Sequence, residues 1–162
     1  MLNDPVNWID PFGLDMRNIN PFPAGPLGPI ITFTNDFLPG QSPDQPVTEE
    51  FAEMIEDAVT ELGADVNINS TTGGIHGKNS RHYTGQGADI NCIGGSAINE
   101  DNPLAEKLQT ILQNHSNTRE NYGPFINEKY NRTTKIPYLP SITPKPRQAS
   151  GHRTHIHITG QR

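Results

Sequence analysis

Three of the chain's six histidines lie within the last eleven residues, at His152, His155 and His157, and a fourth, His82, precedes Asp89 by seven positions. His155 and His157 alternate, so a strand would place both imidazoles on one face. Imidazoles and carboxylates are common ligands of catalytic zinc, which takes three protein groups and leaves a fourth position open to water. The sequence therefore predicts a metal site assembled from two distant segments.

The residues around His82 indicate how the first half of this site would be built. Gly85 and Gly87 keep the backbone small where a metal and a substrate need close approach. We expect a glycine-rich bend that brings the side chains of His82 and Asp89 to one point. Four neighbouring side chains are candidates for substrate contact, with a loop role still open for His76 and a packing role for Tyr83; they are Ser80, Arg81, Tyr83 and His76.

Length and composition limit the class of protein. The chain has 162 residues, 32% of them hydrophobic, which predicts one compact domain with a modest core. Its formal net charge of -6 disfavours a nucleic-acid partner. We find neither an apolar run of membrane-spanning length nor a basic and apolar N-terminal signal. The single cysteine, Cys92, is interpreted as a buried structural thiol, with a nucleophile or soft metal ligand as the alternative.

The secondary-structure signals predict an α+β fold. Nine prolines within residues 1–46 indicate a linker or extended arm, with one short strand at 30–34. Apolar periodicity and capping residues predict helices over 48–62 and 102–114. Alternating residues predict strands at 66–70 and 155–159. We expect a small antiparallel sheet that bears the metal site, with the helices packed on one side.

Residues 48–162 resemble the zinc D-Ala-D-Ala peptidases of bacterial cell walls. This superfamily also includes lysostaphin-type endopeptidases, murein endopeptidases and the hedgehog signalling domain. Its pattern Ser-x-His-x-x-Gly-x-Ala-x-Asp is matched by Ser80, His82, Gly85 and Asp89, with Gly87 in the alanine position, and a C-terminal His-x-His follows. The resemblance implies that His82, Asp89 and His157 bind Zn²⁺ and that the substrate is a peptidoglycan stem peptide.

Two departures from the family pattern bear on the reaction. The segment between Arg147 and His157 lacks the glutamate that often serves as general base. His152 and His155 stand there instead, as in the murein endopeptidase branch, and either could accept a proton from water. Residues 70–76 also lack the family's carboxylate-binding arginine. We therefore expect an endopeptidase acting on cross-links, with a carboxypeptidase as the alternative.

The N-terminus carries a second resemblance. Pro5, four further residues and the run Asp-Pro-x-Gly-Leu, which ends at Leu14, are similar to the close of an RHS/YD-repeat toxin core, where the chain cleaves itself after the leucine. The alternative is an ordinary aspartate-proline turn. The resemblance implies that residues 1–14 end the core, 15–46 form a linker, and 47–162 form the peptidase domain.

Together the two resemblances imply a secreted antibacterial effector delivered to the target cell's periplasm. The expected partners are the RHS shell of the parent chain, peptidoglycan stem peptides and a cognate immunity protein, without nucleic acid and without membrane insertion. Two other functions stay open. One is a metal-dependent nuclease toxin, and the other is a non-catalytic, zinc-containing binding module.

Overall fold

A computed structural model describes residues 15–34, 46–73, 75–129 and 151–161. The predicted α+β class is confirmed. In chain order the elements are β1 (Met16–Arg17), β2 (Ile31–Phe33), β3 (Val47–Thr48), α1 (Glu49–Leu62), β4 (Val66–Ser70), a 3-10 helix (Arg81–Thr84), β5 (Gly87–Ile93), β6 (Ser96–Ala97), α2 (Pro103–Asn114), β7 (Thr118–Tyr122), β8 (Asn127–Lys129) and β9 (Ile156–Gly160).

The main sheet is mixed. Its strand order is β2-β4-β5-β9-β7-β8, with β6 paired to β5, and β1 pairs with β3 separately. All neighbours in the main sheet run antiparallel except β2 and β4, which are parallel. The sequence predicted an antiparallel sheet, and the parallel pair of β2 and β4 departs from it. Helix α1 lies between these two strands in the chain, and a crossover of this kind permits parallel pairing.

Both predicted helices form, and α1 ends and α2 begins at the predicted capping residue. In α1 the apolar stripe is buried, and Gly63 ends the helix with φ 72°. In α2 the side chain of Asn102 accepts a hydrogen bond from the Leu104 amide, and Pro103 occupies the first turn. The two helices contact each other and β9. They therefore cover the same face of the sheet, as expected. Neither helix of the described residues is long and apolar enough to cross a membrane.

Residues 15–34 are part of the domain, whereas the sequence predicted a linker. Strand β1 pairs with β3, and β2 extends the main sheet. Ile19 and Ile31 are each 1% exposed in the hydrophobic core. Arg17 forms an ion pair of 2.6 Å with Glu56 on α1. Prolines exclude a long helix here but permit turns and short strands. The proline content therefore did not reveal that the two isoleucines would be buried in the core. Residues 35–45 of the predicted linker lie outside the described residues.

Candidate metal site

The two predicted halves of the site meet on the sheet face opposite the helices. Asp89 on β5 lies directly across from His157 on β9. Residues directly opposite each other in neighbouring strands project to the same face. Ile156 and Ile158 flank His157 and are fully buried in the core. Alternation along β9 therefore turns His157 away from the core and toward Asp89.

Three potential ligand atoms converge at this place. His157 Nδ1 lies 2.8 Å from Asp89 Oδ1. His82 Nε2 lies 3.3 Å from His157 Nδ1 and 3.6 Å from Asp89 Oδ1. The structure thus brings together His82, Asp89 and His157, although His82 and His157 are 75 positions apart in the sequence.

Each histidine of this group has its second ring nitrogen facing an oxygen. His82 Nδ1 lies 2.5 Å from the carbonyl oxygen of Thr71, so it carries the proton and leaves Nε2 for a metal. His157 Nε2 lies 3.7 Å from the carboxylate of Glu120. Carbonyls and carboxylates at such positions orient metal-binding histidines and fix their tautomers.

His76 adds a further nitrogen to the cluster. His76, His82 and Asp89 offer ligand atoms that all lie within 4.8 Å of one another, and this group could hold a metal ion. The rings of His76 and His82 stack with their centroids 3.8 Å apart. The sequence predicted a substrate contact for His76. The structure places it beside the candidate ligand atoms, where its Nε2 contacts Ser70 Oγ at 3.1 Å and the Gly73 carbonyl at 2.9 Å.

A short helix, rather than a bend alone, positions His82. Ser80 caps the 3-10 helix by accepting a hydrogen bond from the His82 amide at 3.3 Å. Gly85 ends this helix with φ 69°. At Gly87 an added Cβ would lie only 2.9 Å from His82 Cδ2, which explains a glycine there. Asp89 is then presented by strand β5, not by the predicted bend.

His152 and His155 form a pair beside the cluster. His152 Nδ1 lies 2.8 Å from His155 Nε2. The ring of His152 stacks on Tyr122 and on His157, at centroid distances of 5.4 and 5.3 Å. Burial and the neighbouring His155 lower the pKa of His152 to about 4, and burial lowers the pKa of His155. Both side chains are therefore largely neutral near pH 7 and able to accept a proton.

The charges of the cluster are strongly coupled. Burial raises the pKa of Asp89, but the hydrogen bond from His157 outweighs burial and holds this pKa well below its usual range. Burial lowers the pKa of His157, but the hydrogen bond to Asp89 and the negative charge of the nearby Glu120 outweigh it and raise this pKa to about 9. The metal-free site therefore holds a protonated imidazole between two carboxylates at neutral pH.

Two of the predicted substrate contacts have internal partners. Arg81 Nη1 donates to Gln86 Oε1 and to the carbonyl oxygens of Gly160 and Gln161, at 3.1 and 3.2 Å, so it ties the end of β9 to the 3-10 helix. The hydroxyl of Tyr83 accepts from the His76 amide at 2.8 Å and donates to its carbonyl at 3.0 Å. The Tyr83 side chain is nevertheless 49% exposed. Cys92 is half-buried and free, whereas a buried thiol was expected.

Sequence reasoning missed the contribution of β7. Glu120 faces His157, and its carboxylate also accepts from Lys129 Nζ at 2.6 Å and from Thr159 Oγ1 at 3.1 Å. Tyr122 lies opposite His157 in the sheet register, and their rings stack. The run Thr-Arg-Glu-Asn-Tyr has no apolar alternation, so it gave no strand signal. The only available hint was the spacing of two between Glu120 and Tyr122, which permits a shared face.

Comparison with known proteins assigns no family. No protein-family model matches the chain, and searches of curated proteins and of solved structures found no match either. The site is therefore interpreted from its own geometry.

Proposed function

We propose that this chain is a zinc-dependent peptide hydrolase that cleaves peptidoglycan stem peptides. The observation that carries the proposal is the convergence of His82, Asp89 and His157, with the His152 and His155 pair at their side. Zinc at about 2.0 to 2.1 Å from each of its tetrahedral ligands requires ligand atoms about 3.3 Å apart. The three separations of 2.8, 3.3 and 3.6 Å bracket that value.

The donor set also fits a catalytic zinc. Two neutral imidazoles and one carboxylate are ligands that zinc takes at hydrolytic sites. When bound, zinc would lower the pKa of a coordinated water to about 7 and polarise a carbonyl oxygen. The chain's contribution is to fix the ligands. Thr71 holds the tautomer of His82, and Glu120 holds the ring of His157.

The paired histidines would supply proton transfer. A general base must lie within hydrogen-bond reach of the water that attacks and must be unprotonated at the working pH. The lowered pKa values of His152 and His155 meet the second condition, and the position of His152 against His157 supports the first. Because the two rings contact each other at 2.8 Å, a proton taken by one can be shared with the other.

His76 supports a second candidate, the zinc-containing binding module. Structural zinc sites have four protein ligands and no open position. His76 belongs to the group of potential ligands with His82 and Asp89. If His76 coordinates the metal together with His82, Asp89 and His157, the site would be closed to water and would not catalyse hydrolysis.

The proposal includes the N-terminal motif, which resembles the end of an RHS-type toxin core. Self-cleavage after Leu14 would release residues from Asp15 onward as the tip of an RHS-type antibacterial toxin, with the target in the recipient's periplasm and an immunity protein in the producer. Leu14 lies outside the described residues. Support comes from the sequence motif and from the fold, in which β1 begins at Met16, directly beyond the expected cleavage point.

Digestion of purified peptidoglycan by residues 15–162, with and without a chelator, tests the proposal. We expect chelator-sensitive conversion of cross-linked dimers to monomers, measured by mass analysis of the released muropeptides. Release of terminal D-alanine would instead identify a carboxypeptidase. Unchanged peptidoglycan with metal bound would favour the binding module, and chelator-sensitive degradation of DNA or RNA would favour the nuclease.

A matched pair of variants makes the assignment specific. Asp89→Asn keeps the size of the side chain but removes the charge that a metal needs, so it should abolish cleavage and bound metal. Asp57→Asn on the exposed side of α1 removes the same charge from the surface and should change neither. Full activity of Asp89→Asn would contradict the metal site.

A further inference from the structure

A cavity adjoins the candidate metal site on the side of β7 and β8. Its volume is about 490 Å³, and its lining includes His157, which also belongs to the metal cluster. A group bound in this cavity would therefore lie next to the place where the reaction is proposed to occur. The cavity is not required for holding the metal.

The cavity is basic although the chain is acidic. Three of its lining residues are basic and one is acidic, namely Arg81, Arg119, Lys129 and Glu120. The whole chain has the opposite balance, with 12 lysines and arginines against 18 aspartates and glutamates. Glu120 is already paired with Lys129 at 2.6 Å. The cavity thus concentrates positive charge at one place on a negative molecule, which favours an anionic ligand.

Arg119 adds a directed hydrogen-bond donor to this positive charge. Its Nε is buried and has no hydrogen-bond partner within the described parts of the chain. Within the same described residues Arg119 also forms no ion pair, unlike Arg17 and Arg153. Guanidinium groups bind carboxylates through two parallel N–H donors, and a buried donor left without a partner is costly. A carboxylate in the cavity would satisfy this donor.

We propose that the cavity is a subsite for a carboxylate of the peptide substrate, bound by Arg119 next to the metal site. The inference rests on the proposed hydrolase function and specifies its substrate as an acidic peptide with a free carboxylate near the scissile bond. The missing arginine in residues 70–76 argued against carboxylate recognition in the sequence. Arg119 supplies the same group from β7, a strand outside the sequence motif.

A binding measurement tests the subsite independently of hydrolysis. The whole chain, labelled with ¹⁵N in arginine, is titrated with trialanine and with trialanine amide, both in metal-loaded and in chelated protein. The Arg119 Nε–H signal is assigned by its loss in Arg119→Gln. We expect the free acid to shift this signal in both forms and the amide to leave it unchanged. Equal shifts with both peptides, or a shift only with metal present, would overturn the subsite.

Kinetics then separate this subsite from the hydrolase proposal itself. Arg119→Gln should weaken kcat/KM for an acidic peptide by about tenfold to one hundredfold, as expected for a lost hydrogen bond to a charged group, and leave an amidated peptide unaffected. Arg119→Lys should recover part of the loss. The matched control is Arg153→Gln, which removes an exposed arginine paired with Glu100.

The possible results point to different failures. If no peptide is hydrolysed while the free acid still shifts the Arg119 signal, the hydrolase proposal fails and the anion site stands. If hydrolysis proceeds equally with Arg119 and with Arg119→Gln, the subsite fails and the hydrolase stands. If a thymidine dinucleotide shifts the Arg119 signal more strongly than the free acid does, the carboxylate assignment fails and the ligand of the cavity is a phosphodiester. Thermal unfolding of each variant identifies any that fail to fold. If Arg119→Gln does not fold, the same binding and kinetic measurements are made on Arg119→Lys.

Discussion

Asp89 and His157 form the charged centre of the site, and their contact competes with a metal. Their side chains lie 2.8 Å apart, and Glu120 faces the other nitrogen of the same imidazole. Metal ligands must be deprotonated, so an ion has to displace the proton that this arrangement places on His157. The same carboxylates that orient the ligand therefore make metal binding sensitive to pH.

The first prediction concerns this proton. The pKa of His157 is about 9 in the metal-free protein, so metal binding at pH 7 should release about one proton from His157. The apparent affinity should rise by up to about tenfold per pH unit and level off near pH 9. Calorimetry in two buffers of different ionisation enthalpy measures the proton count. Metal binding without proton release at pH 6, where a zinc-bound water is still largely protonated, would contradict the prediction.

The raised pKa of His157 also determines how the stability of the metal-free domain changes with pH. Because this pKa lies above the ordinary value of about 6.5, the stabilisation is fully present below that value and is lost as pH rises through about 9. The pKa values of Asp89 and Glu120 are lowered, so their contribution is lost as pH falls through the acidic range. The metal-free domain should therefore be more stable at pH 7 than at pH 10.

The second prediction distinguishes base from ligand. His155→Gln and His152→Gln should each retain bound metal, and the variant that removes the base should lower kcat by about 10² to 10⁴-fold. Metal analysis and muropeptide kinetics on the same samples check both parts. His115→Gln, at the end of α2, is the control and should behave as the unmodified chain. Loss of metal from His155→Gln would show that His155 is a ligand.

The sequence indicated the candidate metal ligands better than the residues that contact and orient them. His82, Asp89 and His157 could be proposed because they stand at the ligand positions of the motif that the sequence resembles. Glu120 and Arg119 could not, since both belong to a short charged strand whose position depends on pairing with β9. Residue type gives a candidate ligand, whereas a supporting contact depends on the tertiary fold.

At the scale of elements, the 3-10 helix and the start of β5 form the frame of His82. Gly85 turns the chain at a positive φ. Gly87, the first residue of β5, lies directly against the imidazole ring of His82. A side chain at Gly87 has no room, because the close atoms are the ring and the backbone of His82 rather than a flexible end. The absence of a side chain at Gly87 therefore fixes the position of His82, a candidate metal ligand.

The third prediction follows from this contact. Gly87→Ala should displace His82, lower the free energy of unfolding by about 1 to 3 kcal/mol and weaken metal binding. The control is Gly77→Ala, where an added Cβ meets nothing within 4 Å. Urea unfolding and metal titration of both variants make the comparison. Unchanged metal affinity in Gly87→Ala would mean that His82 does not depend on this packing.

Elements with local signals were predicted closely, and those defined by distant contacts were not. Helices α1 and α2 have apolar periodicity, α1 ends at the predicted Gly63, α2 begins at the predicted cap Asn102, and β4 alternates as expected. Strand β5 was missed because its glycine and polar residues obscure the alternation. The parallel pairing of β2 with β4 depends on a crossover that local sequence does not reveal.

At the scale of the whole molecule, the chain's last strand lies in the middle of its sheet. Strand β9 lies between β5 and β7, and its His157 belongs both to the candidate metal site and to the lining of the basic cavity. The first strands also matter, because β2 forms one edge of the same sheet and carries Ile31 into the core. The site therefore depends on both ends of the described chain.

The fourth prediction tests where the domain begins. Ile31 is 1% exposed, so Ile31→Ala should lower the free energy of unfolding by about 2 to 5 kcal/mol. Leu27→Ala in the same segment is the control, because Leu27 is 100% exposed and its loss should change stability by less than about 0.5 kcal/mol. A chain of residues 15–162 should match the whole chain in urea unfolding, whereas residues 47–162 should unfold at lower urea and bind metal more weakly. Equal stability of the two shortened chains would restore the linker interpretation, since β1, β2 and the buried isoleucines would then contribute nothing to the fold.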